Sequence, residues 1–78
     1  MTIDYSSLLT DEQKRNILQQ RIAQFAAEAY QHTLNKQTCE SLEDTAGVEA
    51  ADKSLTILEA AISVHQAELN SIPAPVSE

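Results

Sequence analysis

A heptad seam runs through the second half of the chain and constrains its fold more than any other feature. Apolar side chains, with one histidine among them, recur at alternating steps of three and four residues between positions 48 and 72. This spacing places them along one edge of an α-helix, and such an edge must be buried against another helix. The members of the seam are Val48, Ala51, Leu55, Leu58, Ile62, His65, Leu69 and Ile72.

Another helix is predicted upstream of the seam, and its start carries a capping signal. Thr10 is a preferred N-cap residue, and Gln13 three residues later completes a capping-box pattern. Asp11 and Glu12 fall in the first turn, where acidic groups face the positive end of the helix dipole. The helical pattern then extends to about Leu42 and forms two apolar stripes. The first stripe is Leu18, Ile22, Phe25 and Ala29, and the second is Ala23, Ala27, Tyr30 and Leu34.

The break between the two helices is predicted at residues 43–47. Gly47 is the only glycine of the chain, and both Asp44 and Thr45 suit the N-cap of the following helix. Ser41, with Asp44 three residues later, is an alternative cap. The single domain (1–78) therefore divides into an apolar arm (1–9), helix 1 (10–42), a hinge (43–47), helix 2 (48–71) and a proline-containing tail (72–78).

Two long helices joined by a short hinge predict an all-α, antiparallel two-helix hairpin with a coiled-coil-like seam. Helix 2 carries a second apolar stripe of its own: Ala50, Ile57, Ala61 and Val64. A two-layer hairpin cannot cover opposite faces of its own helices, so we expect it to pack into an oligomeric helical bundle or to bind another protein. The predicted hairpin core is Leu18, Ile22, Phe25, Leu55, Leu58, Ile62 and Leu69.

Composition narrows the classes of partner. The chain has 78 residues and a net charge of −7, which opposes binding to nucleic-acid phosphates or to an anionic membrane surface.

A domain this small has a core that contributes little surplus stability. Its lone cysteine excludes an internal disulfide and suits a reducing compartment. No segment has the length and apolarity of a membrane span, and residues 1–9 lack the features of a signal peptide. We therefore expect a cytoplasmic protein.

The sequence indicates no catalytic or metal-binding constellation. Glu28 and His32 have the i, i+4 spacing of a ligand pair, but two ligands make a weak site. In an antiparallel hairpin His65 lies near Phe25, several turns from His32, so the histidines cannot share a metal. Cys39 has no flanking catalytic motif. We expect no enzymatic activity, no cofactor and no bound metal. Three charge pairs have the spacing of surface helix pairs: Asp11–Arg15, Lys36–Glu40 and Glu49–Lys53.

Two segments, MTIDYSSLLTDEQKR at 1–15 and QFAAEAYQH at 24–32, resemble small acidic helical proteins of unassigned role that bacteriophages encode. The hairpin is also similar to helical-hairpin secretion substrates, but it lacks their Trp-x-Gly turn. The phage resemblance implies no catalytic residue. It favours a non-enzymatic interaction protein of the virion or of its assembly, located in the host cytoplasm or in the particle. The alternative is an acidic phage inhibitor that binds a host defence protein or sequesters a small signalling ligand. The predicted contact residues are Ile3, Tyr5, Leu8, Leu9, Tyr30, Leu34, Ile57 and Val64.

Overall fold

The computed structural model describes residues 4–73 and consists of an all-helical hairpin. A short 3-10 helix (Tyr5–Leu8) precedes two long helices, α1 (Asp11–Ser41) and α2 (Thr45–Ser71). The two long helices pack extensively against each other, and residues 4–73 contain no strand. The predicted helical hairpin is therefore confirmed, whereas its packing into a larger bundle stays a prediction.

The start of α1 has the capping box that the sequence predicts. The Gln13 backbone N–H donates to Thr10 Oγ1 over 3.1 Å, and the Thr10 backbone N–H donates to Gln13 Oε1 over 2.9 Å. Asp11 and Glu12 occupy the first turn. Two backbone donors that a helix terminus leaves unpaired are thus satisfied, at a site where such a cap typically contributes about 1 kcal/mol.

A tight turn after α1 reverses the chain. Glu43 has a φ of 57°, the left-handed conformation that commonly ends a helix. The Asp44 N–H donates to the Cys39 carbonyl over 2.8 Å, and the Glu43 N–H donates to the Glu40 carbonyl over 3.1 Å. These two bonds form a Schellman motif. Asp44 then caps α2, because its Oδ1 accepts from the Gly47 N–H at 3.0 Å. Asp44 therefore takes part in both helix ends: its N–H helps to terminate α1, and its carboxylate caps α2.

The predicted hinge at 43–47 is wrong in its second half. Helix α2 begins at Thr45, and Gly47 lies inside its first turn rather than between the helices. A Cβ atom at position 47 would lie 2.5 Å from Cys39 Sγ and 2.7 Å from Asp44 Oδ2. A side chain at position 47 would therefore displace the side chains of Cys39 and Asp44. The left-handed turn position is filled by Glu43 instead.

The core between the helices is thin. Among residues 4–73 only Ala51 and Leu58 are buried, with 6% and 8% of their surfaces exposed. The remaining seam residues are half-buried, as are the residues of α1 that face them. Of the residues predicted to form the core, Leu58 is the buried one. The half-buried ones are Leu18, Ile22, Phe25, Leu55, Ile62 and Leu69.

The hairpin is extended for its length. Its radius of gyration is 17.2 Å, whereas a compact domain of this length would have about 11.5 Å. Its smallest dimension is 14 Å, the thickness of a single layer of helices. Each helix consequently has one covered side and a broad exposed side.

We expect Leu58→Ala to lower the free energy of unfolding by about 2–5 kcal/mol, because it removes the largest side chain that the hairpin buries. Ile57→Ala is the matched control. Ile57 is 69% exposed, so its truncation should change the stability of the monomer by no more than about 0.5 kcal/mol. Urea denaturation followed by circular dichroism at low protein concentration measures both values. Equal losses for the two variants would contradict the assignment of the covered face.

We expect Glu43→Gly to raise the free energy of unfolding by about 0.5–1 kcal/mol, because glycine relieves the left-handed strain that an L-residue bears at this turn. Glu28→Gly, in the exposed middle of α1, should have the opposite effect and cost about 1 kcal/mol. The same denaturation assay measures both. A loss of stability in Glu43→Gly would show that the turn is not held in this conformation.

Candidate interaction surfaces

A polar cluster crosses the hairpin at the seam histidine. Arg21 Nε donates to His65 Nε2 over 2.9 Å, and His65 Nδ1 lies 2.7 Å from the Ala61 carbonyl oxygen. The carbonyl can only accept, so the proton of the neutral ring sits on Nδ1 while Nε2 accepts from Arg21. Both ring nitrogens are thus occupied within the hairpin. This pairing explains how a polar residue is accommodated at a seam position.

Phe25 completes the cluster from α1. Its ring packs edge-to-face on His65, with 4.9 Å between ring centroids and an interplanar angle of 72°. Arg21 Cζ lies 5.2 Å from the centroid of the same phenyl ring. His65 therefore lies opposite Phe25, as the antiparallel arrangement predicts. Sequence reasoning missed Arg21; its signal was the i, i+4 spacing from Phe25, which lets the guanidinium lie over the ring.

An ion pair joins the helices nearer the turn. Lys36 Nζ lies 2.7 Å from Asp52 Oδ1, so Lys36 forms an ion pair across the hairpin. Its spacing in the sequence had predicted a pair with Glu40 along α1. The hydrogen bond that the Lys36 ammonium donates to Asp52, together with the negative charge of Asp52, raises the pKa of Lys36 above its ordinary value. Because the pKa is raised in the folded state, this interaction stabilises the fold below the ordinary lysine pKa, and its contribution is lost as the pH rises through the raised value.

The candidate metal ligands do not converge. His32 is half-buried on the covered side of α1, whereas Glu28 is exposed. Within residues 4–73 no group of three His, Cys, Asp or Glu side chains is arranged to hold a metal ion. Cys39 is half-buried and lies against Gly47, where it fills the space between the helices near the turn. His32 and Cys39 are thus partly covered at the contact between the helices, whereas Glu28 faces solvent.

The apolar arm folds partly onto the hairpin. Residues 5–8 form a 3-10 turn because Asp4 caps it: Asp4 Oδ1 accepts from the Ser6 N–H at 3.2 Å. Leu9 is half-buried and lines a groove together with Leu18 and Glu68, so it contacts its own helices. Tyr5 and Leu8, in contrast, are 74% and 72% exposed. Ile3 lies outside the described residues.

At the open end of the hairpin, opposite the turn, Pro73 forms a hydrogen bond with α1. Arg15 Nη2 donates to the Pro73 carbonyl oxygen over 2.8 Å, which ties the segment after α2 to the first turns of α1. Ile72 is half-buried beside it and Pro73 is exposed. The rest of the predicted tail, residues 74–78, lies outside the described part of the chain.

Large apolar side chains are exposed on both long helices. Tyr30 and Leu34 lie on the uncovered side of α1, and Ile57 and Val64 lie on the uncovered side of α2. Ala61, predicted to share the second stripe of α2, is instead half-buried, because its position turns it towards α1. The side chains that remain exposed are Tyr5, Leu8, Ile17, Tyr30, Leu34, Leu42, Ile57 and Val64. They are the candidate contact surfaces of the protein.

A scan against protein-family models finds no match for this chain, and searches of curated proteins and of solved structures find none either. Among residues 4–73 no helix combines the length and the apolarity that crossing a bilayer requires.

A double-mutant cycle tests the cluster around His65. We expect Arg21→Ala and His65→Ala to show a coupling of about 0.5–1 kcal/mol in the free energy of unfolding, because each removes the same hydrogen bond. His32→Ala is the control partner, since His32 lies three turns along α1 from Arg21. The effects of Arg21→Ala and His32→Ala should add. Equal coupling to the two histidines would mean that Arg21 does not bind His65.

Proposed function

We propose that this protein is a non-catalytic helical interaction protein that binds other protein surfaces through its exposed apolar side chains. The observation that carries the proposal is the imbalance between covered and exposed apolar groups. Within residues 4–73 two residues are buried, whereas eight large apolar side chains are exposed. Large apolar side chains that a thin hairpin leaves uncovered are the groups that a protein partner would bury.

The accessible surface area supports the same proposal. The chain exposes 6146 Å², whereas a compact monomer of 8.6 kDa would expose about 4,700 Å². The excess, about 1,400 Å², exceeds the roughly 800 Å² that each partner contributes to a standard protein interface. The hairpin therefore has enough unburied surface for a stable contact without any change of fold.

The distribution of these groups favours a role in assembly. Exposed apolar side chains occur on α1, on α2 and on the short helix that precedes them. An assembly component needs more than one contact face, whereas an inhibitor of a single protein needs one. Together with the resemblance to phage-encoded proteins, this arrangement leads us to propose a small virion component or an assembly or adaptor protein. The net charge of −7 favours protein contacts over nucleic-acid contacts.

The alternative is a phage inhibitor that binds a host defence protein. A slender acidic hairpin with an apolar face can insert into a groove of another protein, as amphipathic helices do. The sequestration of a small ligand has less support, since the surface depressions are open to solvent rather than enclosed.

Site-specific photo-crosslinking in the producing cells tests the interaction function. We expect benzoylphenylalanine at Tyr30 or at Ile57 to form covalent protein adducts, because both side chains are exposed and apolar. Gln24, exposed on α1 outside the apolar stripes, is the control position. Absence of adducts from both apolar positions, or equal yields at Gln24, would contradict the proposal.

Mass spectrometry of purified particles then separates the two roles. Detection of the protein at a fixed ratio to a known particle component supports assembly. Its absence from particles, combined with an adduct to a host protein, supports the inhibitor.

A further inference from the structure

The uncovered side of α2 carries a second heptad stripe, which we call the outer stripe. Its residues recur at alternating steps of four and three, the same period as the buried seam, and every one of them is exposed. A regular heptad stripe is the pattern by which one helix packs along another. The outer stripe consists of Ala46, Ala50, Lys53, Ile57, Ala60, Val64, Ala67 and Ser71.

We propose that the outer stripe packs against the outer stripe of a second copy of this chain, antiparallel and about a two-fold axis. This inference rests on the proposed interaction function and names the partner of one of its surfaces. A two-fold contact uses the same patch on both subunits, so the patch must be complementary to itself. Three properties of the stripe meet that condition.

The first property is the alternation of side-chain size. Ile57 and Val64 occupy one of the two heptad positions, and alanines at 46, 60 and 67 occupy the other. When two stripes run antiparallel around a centre between residues 58 and 59, Ile57 faces Ala60 of the second copy. Ala50 then faces Ala67 of the second copy. At Ile57–Ala60 a large side chain lies opposite a small one, and Ala50 and Ala67 are both small, so the helices can pack closely at these pairs.

The second property is charge. Helix α2 carries four carboxylates, at Glu49, Asp52, Glu59 and Glu68, but none lies in the outer stripe. Packing stripe against stripe therefore brings no carboxylate of one stripe onto the stripe of the second copy.

The orientation follows from the one charged residue of the stripe. In the antiparallel arrangement Lys53 lies level with Val64 of the second copy, one turn from the carboxylate of Glu68 of that copy. A parallel arrangement would instead place the two Lys53 ammonium groups against each other. Opposite charges are thus brought together only when the helices run antiparallel.

The third property is length. Helix α2 has 27 residues and spans about 40 Å, and the outer stripe runs over nearly all of it. The excess of exposed surface described above, which is summed over the whole chain, is larger than the share that one subunit contributes to a standard interface. The contact would leave Tyr30 and Leu34 on α1 free for a different partner.

Sedimentation analysis of the purified full chain tests the dimer. We expect a monomer–dimer equilibrium in the wild type, and Ile57→Glu should raise the dissociation constant at least about tenfold because it buries a carboxylate at the centre of the contact. Tyr30→Glu is the matched control, since Tyr30 is similarly exposed but lies on α1. It should leave the equilibrium unchanged. A wild type that is still monomeric at millimolar concentration, or equal effects of the two variants, would overturn the proposal.

Disulfide crosslinking tests the orientation, in a Cys39→Ser background that retains its helicity by circular dichroism. We expect Ala50→Cys combined with Ala67→Cys to form a covalent dimer on oxidation, because these positions face each other across the two-fold axis. Ala50→Cys alone should remain uncrosslinked, since its two copies would lie about 25 Å apart along the helix. Efficient crosslinking of the single variant would indicate a parallel dimer and overturn the proposed arrangement.

The results distinguish a failure of the dimer proposal from a failure of the proposed interaction function. A chain that is monomeric in solution but crosslinks from Ile57 to a different protein in cells would overturn the dimer and retain the interaction function. A chain that dimerises as proposed but forms adducts only with its own second copy, and none with a different protein from Tyr30 or Ile57, would retain the dimer and overturn the binding of other proteins.

Discussion

The packing of one stripe of α1 against the seam of α2 is the interaction on which the whole structure depends. Leu58 and Ala51 lie at its centre and are the buried residues of the described chain. The contacts on either side of them are polar or half-exposed: the Arg21–His65 hydrogen bond towards the open end and the Lys36–Asp52 ion pair towards the turn. Exposed contacts of this kind contribute little individually. The stability of an isolated hairpin therefore rests on a single narrow interface.

The sequence predicted the parts of the fold that periodicity and capping control. The seam residues, the capping box at Thr10 and the antiparallel placement of Phe25 opposite His65 are all present. Local geometry at the turn was not predictable in the same way. A lone glycine usually marks a chain reversal, yet Gly47 serves helix packing while Glu43 adopts the left-handed conformation. The crowding at position 47 comes partly from Cys39 on the other helix, and no local pattern records that contact.

The candidate contact surfaces were also predicted correctly in part and wrongly in part. The exposure of Tyr30, Leu34, Ile57 and Val64 matches where their spacing places them, because a helix can bury only one side in a two-layer hairpin. Ala61 was assigned to the wrong side, since it lies at the boundary between the two stripes. Arg21 illustrates a further limit. A long side chain at the edge of a stripe can reach a partner on the neighbouring helix, so sequence spacing alone does not fix its contacts.

We propose that the hairpin, with its narrow core and its exposed apolar side chains, gains stability from a second chain. The dependence of the thermal unfolding midpoint on protein concentration tests this claim most directly, because any partner that binds only the folded state stabilises it by mass action. If the outer stripe of α2 joins two copies, the Tm of the wild type rises steadily across a hundredfold range of concentration, and the Tm of Ile57→Glu does not. A wild-type Tm that is constant over that range would contradict the account.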